Sequence, residues 1–348
     1  MTDSQPSETD KNQTRLKQVK PPAPESVSEQ ARRFLNVEAQ SFGAAYPAAS
    51  DTAAWLALAE TMDAAVGPYL ESLLPPADTF VVSSADVGPV KNYVIRPSHV
   101  DEAEDLPVFI EIHGGALYLG QGELAWMAAA PYAVGRGGIT WAPDYRLPPT
   151  DPYPAALDDV LAVYKAAIAD VGASRVVVSG SSAGGNLAAA LLVRARDEGL
   201  PMPAALVLIS PELDLTESGD SFATNNGIDA LESLMAVNEL YANGVDLRHP
   251  YVSPLFADVT GFPPTFLQTG TRDVFLSNTV RMHRHLLESG VETELHVFEA
   301  MPHGGFGGTT PEDAALAAEI WRFEAVHLSR RRGSSADLAH TDQDGLSQ

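Results

Sequence analysis

Residues 175–193 read RVVVSGSSAGGNLAAALLV. An apolar, β-branched run (Val176, Val177, Val178) passes through a glycine-rich turn into an alanine- and leucine-rich stretch. That order reads as strand, turn, helix. The pattern Gly180-x-Ser182-x-Gly184 sets a serine on the turn itself. The backbone there is forced into strained angles, so the positions two residues away must be small. Gly180 and Gly184 meet that need, and Gly185 lets the helix approach the strand layer closely. The helix N-terminus directs free N–H groups at the serine, favouring charge that develops there. Ser182 is therefore the candidate nucleophile. Ser181 is a rival by composition, but only Ser182 has glycine at both flanking offsets.

Outward from this turn the chain alternates. Upstream, TFVVSS, VKNYVIRP, LPVFIEIHGG and GITWAPD read as strands. A helix follows, with Leu157, Val160, Leu161, Tyr164 and Ile168 at helical spacing, ended by Gly172. Downstream, AALVLIS, PTFLQTG and TELHVFEA are further strands. The last helix opens on Thr310-Pro311-Glu312-Asp313, a capping-box-like start with proline at the first helical position. Alternation of this kind predicts an α/β fold with a mostly parallel central sheet and helices on both faces. Between about 216 and 262 the alternation breaks. One helix, about 229–241, is expected there within an irregular insertion over the sheet's C-terminal edge. Two further helices are expected near the N-terminus, at about 27–42 and 51–74. The second carries Trp55, Met62, Val66, Tyr69 and Leu73 on one face, and Pro68 should kink or split it. The organisation expected is a disordered lead-in (1–25), N-terminal helices (26–75), an α/β domain (76–330) and a disordered tail (331–348).

Strand VFIEI runs into His113-Gly114-Gly115-Ala116. Acyl transfer needs N–H donors aimed at an oxygen that becomes negative. The backbone of Gly114, Gly115 and Ala116, with that of Ala183 after the candidate nucleophile, can supply them. His113 reads as a brace for this loop rather than as a base. For the base, His303 stands alone on a glycine-rich loop after a strand, in VFEAMPHGGF. His283, His285 and His327 fall in expected helices, His296 in a strand, His249 in the insertion and His340 in the tail. For the acid, Asp273 stands at the end of strand PTFLQTG, where a carboxylate can hold an imidazole's tautomer. Glu212 and Asp214, after the preceding strand, are the alternatives.

Composition removes other classes. The formal net charge is −24 over 348 residues, which repels nucleic acid and anionic membrane surfaces. No cysteine is present, so a thiolate metal site and a cysteine nucleophile are excluded. No long apolar run and no apolar leader occur, so a cytoplasmic protein is expected. No metal is implied, and a homodimer is left open.

Several blocks together resemble the bacterial hormone-sensitive-lipase-like (family IV) esterases of the α/β-hydrolase superfamily. They are HGGALYLG, DYRLPPTDPYPAAL, SGSSAGGNLAAALL, SPELDLT, VSPLFADVTGFPP, GTRDVFLSN and MPHGGF, over roughly residues 79–326. The resemblance implies a triad of Ser182, Asp273 and His303 with oxyanion donors at Gly114, Gly115 and Ala183. It also implies a cap made from the N-terminal helices and the insertion, hydrolysis of small-molecule, short-acyl esters, and no cofactor. Three departures stand out: HGGA for the usual HGGG, GSSAGG for GDSAGG, and YRLPPTDPYP for a YRLAPE-type run. DLTESGDSF and GTRDVFLSNTVRMHR resemble a subgroup linked to ε-lactone opening, which makes a lactone hydrolase the alternative. A binding protein on an inactive scaffold would be expected to lose the base, and His303 is present.

Overall fold

A computed structural model of the chain describes residues 20–37, 46–101 and 106–341, with side chains as far as residue 328. Eight strands form one sheet: β1 (Phe80–Val87), β2 (Val90–Pro97), β3 (Val108–Ile112), β4 (Ile139–Asp144), β5 (Val176–Ser181), β6 (Ala205–Ile209), β7 (Thr265–Gly270) and β8 (Thr293–Phe298). Their order is β1-β2-β4-β3-β5-β6-β7-β8. β1 and β2 form an antiparallel hairpin, and β2 runs antiparallel to β4. From β4 to β8 every pairing is parallel. β3, β6 and β7 are buried at every residue, the mark of a sheet covered on both faces.

The helices are α1 (Glu29–Asn36), α2 (Thr52–Ser72), α3 (Glu123–Ala133), α4 (Ala155–Val171), α5 (Ala183–Asp197), α6 (Ser221–Thr224), α7 (Met235–Ala242), α8 (Leu276–Glu288) and α9 (Pro311–Thr341). α5 is buried almost all round, which explains its run of alanine and leucine: it lies against the sheet and α4. At the start of α9, Asp313 N–H donates to Thr310 Oγ1 (3.2 Å) and Thr310 N–H donates to Asp313 Oδ2 (3.1 Å). This is a reciprocal cap with aspartate in the usual place of glutamate. No helix among the described residues is long and apolar enough to cross a membrane.

Four local expectations are corrected. α2 is not split at Pro68, which is exposed, so water can meet the carbonyl that proline leaves unpaired. Tyr69, expected on the buried face of α2, is 47% exposed. The helix in the insertion starts at Met235, not 229, and α6 is an additional short turn of helix. α9 continues to Thr341, through most of the segment expected to be a disordered tail. The lead-in lies mostly outside the described residues. Its end is tied down, since the Pro22 carbonyl accepts from Arg272 Nη2 at 2.8 Å. Residues 38–42 of the first expected helix also fall outside the described residues.

Parallel strands place their C-terminal ends on one edge. The loops after β3, β5, β6, β7 and β8 therefore meet there, and these loops hold the residues singled out from the sequence.

Candidate active site

Ser182 sits between β5 and α5 at φ 57° and ψ −121°. A serine rarely adopts this conformation. Packing enforces it. A Cβ on Gly184 would strike the carbonyl of Ile112 on β3, and one on Gly180 would strike the carbonyl of Gly184. Ser182 N–H donates to the Ile209 carbonyl (2.9 Å), while the Ser182 carbonyl accepts from Glu212 N–H (3.1 Å). The backbone is pinned on both sides and the hydroxyl is left to face the loops.

His303 Nε2 lies 2.9 Å from Ser182 Oγ. On the other side of the ring, His303 Nδ1 is 3.4 Å from Asp273 Oδ1, an ion-pair contact somewhat longer than a tight hydrogen bond. Asp273 is fully buried. Its Oδ1 accepts from Phe275 N–H (2.8 Å) and its Oδ2 from Thr269 Oγ1 (2.8 Å). Burial alone would raise this carboxyl, but contact with His303 and these donors outweighs it and holds the group below its ordinary value. Burial alone would likewise depress His303. Asp273, 3.4 Å away, with Asp229 and Glu212 adding to it, outweighs that and raises the imidazole above its ordinary value.

The loops carrying the two residues are laced together. Thr271 N–H donates to the Phe298 carbonyl (3.0 Å), Arg272 N–H to the Met301 carbonyl (3.2 Å), and Ala300 N–H to Thr271 Oγ1 (2.7 Å). α1 packs on the same loop, with Val27, Ala31 and Leu35 against Ala300, Met301 and Phe306. Ser28, which caps α1, gives its N–H and hydroxyl to the Glu312 carboxylate at 2.6 and 2.7 Å.

On the opposite side of Ser182 the loop after β3 turns sharply, with Ala116 at φ 51° and Leu117 at φ 60°. Gly114 packs against Ser182: a Cβ there would stand 3.2 Å from Ser182 Cβ. The N–H groups of Gly114, Gly115, Ala116 and Ala183 have no acceptor among the described residues. His113 is buried, stacks on Tyr145 with ring centroids 4.2 Å apart, and sets Nδ1 2.7 Å from the Gly114 carbonyl. Only a protonated Nδ1 can donate there. Burial pushes its pKa down to about 4, so it stays neutral and braces the loop.

Comparison with known proteins bears on the fold and the family. A family model described as the alpha/beta hydrolase fold matches residues 109–306. The chain belongs to the α/β-hydrolase family. An acetyl-hydrolase of Streptomyces hygroscopicus is 32% identical over 234 residues, covering 66% of this chain and 75% of that protein. An esterase of Acinetobacter venetianus is 29% identical over 248 residues, covering 69% and 82%. Among solved structures, the esterase E25 superposes with a TM-score of 0.77 at 34% identity, covering 90% of this chain and 98% of that one. An esterase of the bacterial hormone-sensitive lipase family gives 0.74 at 29% identity, covering 86% and 99%. This α/β hydrolase stands among the carboxylic ester hydrolases of the bacterial hormone-sensitive-lipase type.

The alternatives for the acid are placed elsewhere in this hydrolase. Asp214 is engaged by Ser218 Oγ (2.6 Å), Thr216 N–H (3.0 Å) and Arg281 Nη1 (2.8 Å). Glu212 is buried beside the Ser182 carbonyl, and neither of its carboxylate oxygens has a partner among the described residues. Of the rejected histidines, His283 and His285 lie on α8 and His296 on β8. One residue was missed altogether. Asp229 Oδ2 accepts from Val274 N–H (2.9 Å) and from His303 N–H (3.3 Å), clipping the loop that carries Asp273 to the loop that carries His303. No local pattern announces it, because an aspartate at the expected start of a helix reads as an ordinary cap.

Around Ala116 of the loop after β3, apolar side chains from three regions meet. Trp55 of α2, Tyr118 after β3, and Val237 and Leu240 of α7 form one cluster that Tyr46 and Ala116 join. Leu234, Val274 and Phe275 form another, also reaching Tyr46 and Ala116.

Proposed function

We propose that this α/β hydrolase cleaves short-chain carboxylic esters through an acyl-enzyme on Ser182. The observation that carries this reading is the 2.9 Å approach of His303 Nε2 to Ser182 Oγ beside unpartnered backbone donors. His303 takes the hydroxyl proton as Ser182 Oγ bonds to the ester carbonyl carbon. The carbonyl oxygen becomes an oxyanion, held by N–H groups of Gly114, Gly115, Ala116 and Ala183. Asp273 offsets the charge of the imidazolium. Collapse breaks the bond to the alkoxy group, which leaves with the proton from His303. Water then repeats the sequence on the acyl-enzyme and frees the acid. The test is an organophosphonate, which should add a single covalent mass to the peptide containing Ser182. A label on Ser181, or none, would count against the assignment.

The apolar roof from α2, α7 and the loop after β3 supports a closed cap and a small acyl pocket. Each methylene that fits gains about 0.8 kcal/mol of burial, and one that does not costs about 1–3 kcal/mol in overpacking. Rates across p-nitrophenyl esters should peak near C2–C6 acyl chains and fall steeply beyond, by roughly the overpacking cost. Ala116→Gly should extend tolerance to bulkier esters, since it removes a methyl beside the oxyanion loop. The residue already has φ 51°, which glycine adopts freely, so folding should not suffer. A preference for long-chain triglycerides, or no change in any bulky ester, would sink this picture. A small lactone panel run alongside reads the ε-lactone alternative, whose alcohol stays tethered to the acyl group.

A further inference from the structure

Among the described residues, Glu212 is the carboxylate near the serine that has no structural task. Its backbone is fixed in the floor of the site: its N–H donates to the Ser182 carbonyl at 3.1 Å and its carbonyl accepts from Asn186 Nδ2 at 2.8 Å. Its side chain is fully buried, yet both carboxylate oxygens lack a partner among the described residues. Its surroundings are Asp214 and Glu217 of the same loop, Asn238 of α7, His303, and Tyr46 of the N-terminal segment. Asp214 is committed to Thr216, Ser218 and Arg281, and Glu217 to Ser233 Oγ (2.7 Å) and Leu234 N–H (2.6 Å). Asn238 gives Nδ2 to the Leu215 carbonyl at 3.1 Å, which leaves its buried Oδ1 unpartnered as well. Glu212's two oxygens and Asn238 Oδ1 thus share one buried region: Asn238 lowers the Glu212 carboxyl, but its amide nitrogen is hydrogen-bonded to Leu215. Buried polar atoms are nearly always paired, so this cluster calls for a donor from outside the chain.

We propose that Glu212 is a specificity-determining residue that accepts a hydrogen bond from a hydroxyl group on the ester substrate. The proposal rests on the esterase reading above and deepens it. A hydroxyl suits the site better than an ammonium. Burial, with repulsion from Glu217 and Asp214, pushes the Glu212 carboxyl up to about 7 against the lowering contacts of Asn238 and His303. An ammonium needs the ionised form, whereas a hydroxyl can donate to either form and accept from the protonated one. The aromatic and aliphatic roof would also strip the water from an ammonium without replacing it.

The experiment compares kcat/KM for matched esters by pH-stat titration. On the acid side, ethyl butyrate is set against ethyl 2-, 3- and 4-hydroxybutyrate. On the alcohol side, propyl butyrate is set against 2-hydroxyethyl butyrate. The wild type should favour at least one hydroxylated ester over its plain counterpart by about 10-fold or more. Glu212→Leu should abolish or reverse that ratio. Glu212→Gln should keep a ratio but flatten its pH dependence. In the wild type the ratio should rise with pH through about 7, because the ionised carboxylate is the stronger acceptor. A purely structural role would move absolute rates and leave these ratios alone. An unchanged ratio in Glu212→Leu, or no hydroxyl preference in any pair for the wild type, overturns the proposal. If Glu212→Leu fails to fold, the nearly isosteric Glu212→Gln decides: the same pH slope as wild type overturns it. Failure of the wild type on the plain esters and p-nitrophenyl acetate would instead sink the esterase reading itself.

Discussion

Ser182→Ala is expected to lower turnover of p-nitrophenyl butyrate by about 10⁴-fold or more while leaving the thermal transition nearly unchanged. The two halves of this expectation have separate causes. The strained backbone at φ 57° carries a Cβ in either residue, so alanine adds no new steric penalty. The backbone bonds from Ser182 N–H to Ile209 and from Glu212 N–H to the Ser182 carbonyl do not involve the side chain. Only the 2.9 Å contact with His303 is lost, and that imidazole keeps Asp273 on its other face. Chemistry loses far more. Without Oγ there is no acyl-enzyme, and what remains is direct attack by water assisted by the oxyanion donors. The same variant should take up no organophosphonate. A folded Ser182→Ala protein with near-wild-type turnover would end the proposal.

The expected effect is sharp because the elbow was the most legible part of the chain. A triple-valine strand, glycine at two offsets and an alanine-rich helix all specify one geometry, and the glycines meet backbone rather than movable side chains. The same holds for β6, whose unbroken apolar run Ala205–Ile209 matches a strand buried on both faces. Other features left little trace in local pattern. Glu111 lies within the buried strand β3, where VFIEI reads as apolar. It is tolerated because Arg136, in the turn after α3, approaches it at 2.8 Å and also pairs with Glu324 of α9 at 2.7 Å. No short window of sequence contains that trio. The start of α7 was misjudged for a similar reason. Asp229 is drawn away to two backbone N–H groups, and the Glu217 carboxylate takes the Leu234 N–H at the helix start. Long-range partners, not propensity, set that boundary. The length of α9 has a different origin. Its first half is docked through Leu316, Ile320 and Phe323, so the costly nucleus is already formed. Adding residues such as those of RRGSSADLAH then costs little per step, despite a glycine and two serines.

Asp273→Asn is expected to lower kcat by about 10²–10⁴-fold, and the surroundings of the side chain show why charge rather than geometry is lost. In triads of this type the same Asp→Asn change has lowered kcat by about 10⁴, or about 5 kcal/mol at about 1.4 kcal/mol per tenfold. The Asp273 oxygens are not equivalent. Oδ1 faces both Phe275 N–H (2.8 Å) and His303 Nδ1 (3.4 Å), while Oδ2 takes the Thr269 hydroxyl (2.8 Å). In the asparagine variant the amide oxygen belongs at the first position, and the Thr269 hydroxyl can rotate to accept from the amide N–H groups. The imidazole then keeps its proton on Nδ1 and can still take one from Ser182. What is missing is the negative charge that steadies the imidazolium as it forms. The pH profile separates this from a tautomer change. His303 must be neutral to act as base, so activity rises as pH climbs through its pKa, which lies above its ordinary value in the wild type. Asp273 is the main group that raises it, so Asp273→Asn should move the acidic limb of kcat/KM to lower pH. Residual activity along a shifted limb indicates lost charge, whereas near-complete inactivity at every pH indicates the wrong tautomer. Asp229→Asn should cost much less, because an amide oxygen can still accept from Val274 and His303 N–H. If Glu212→Gln or Asp214→Asn produced the large loss and Asp273→Asn did not, the acid would have been assigned to the wrong loop.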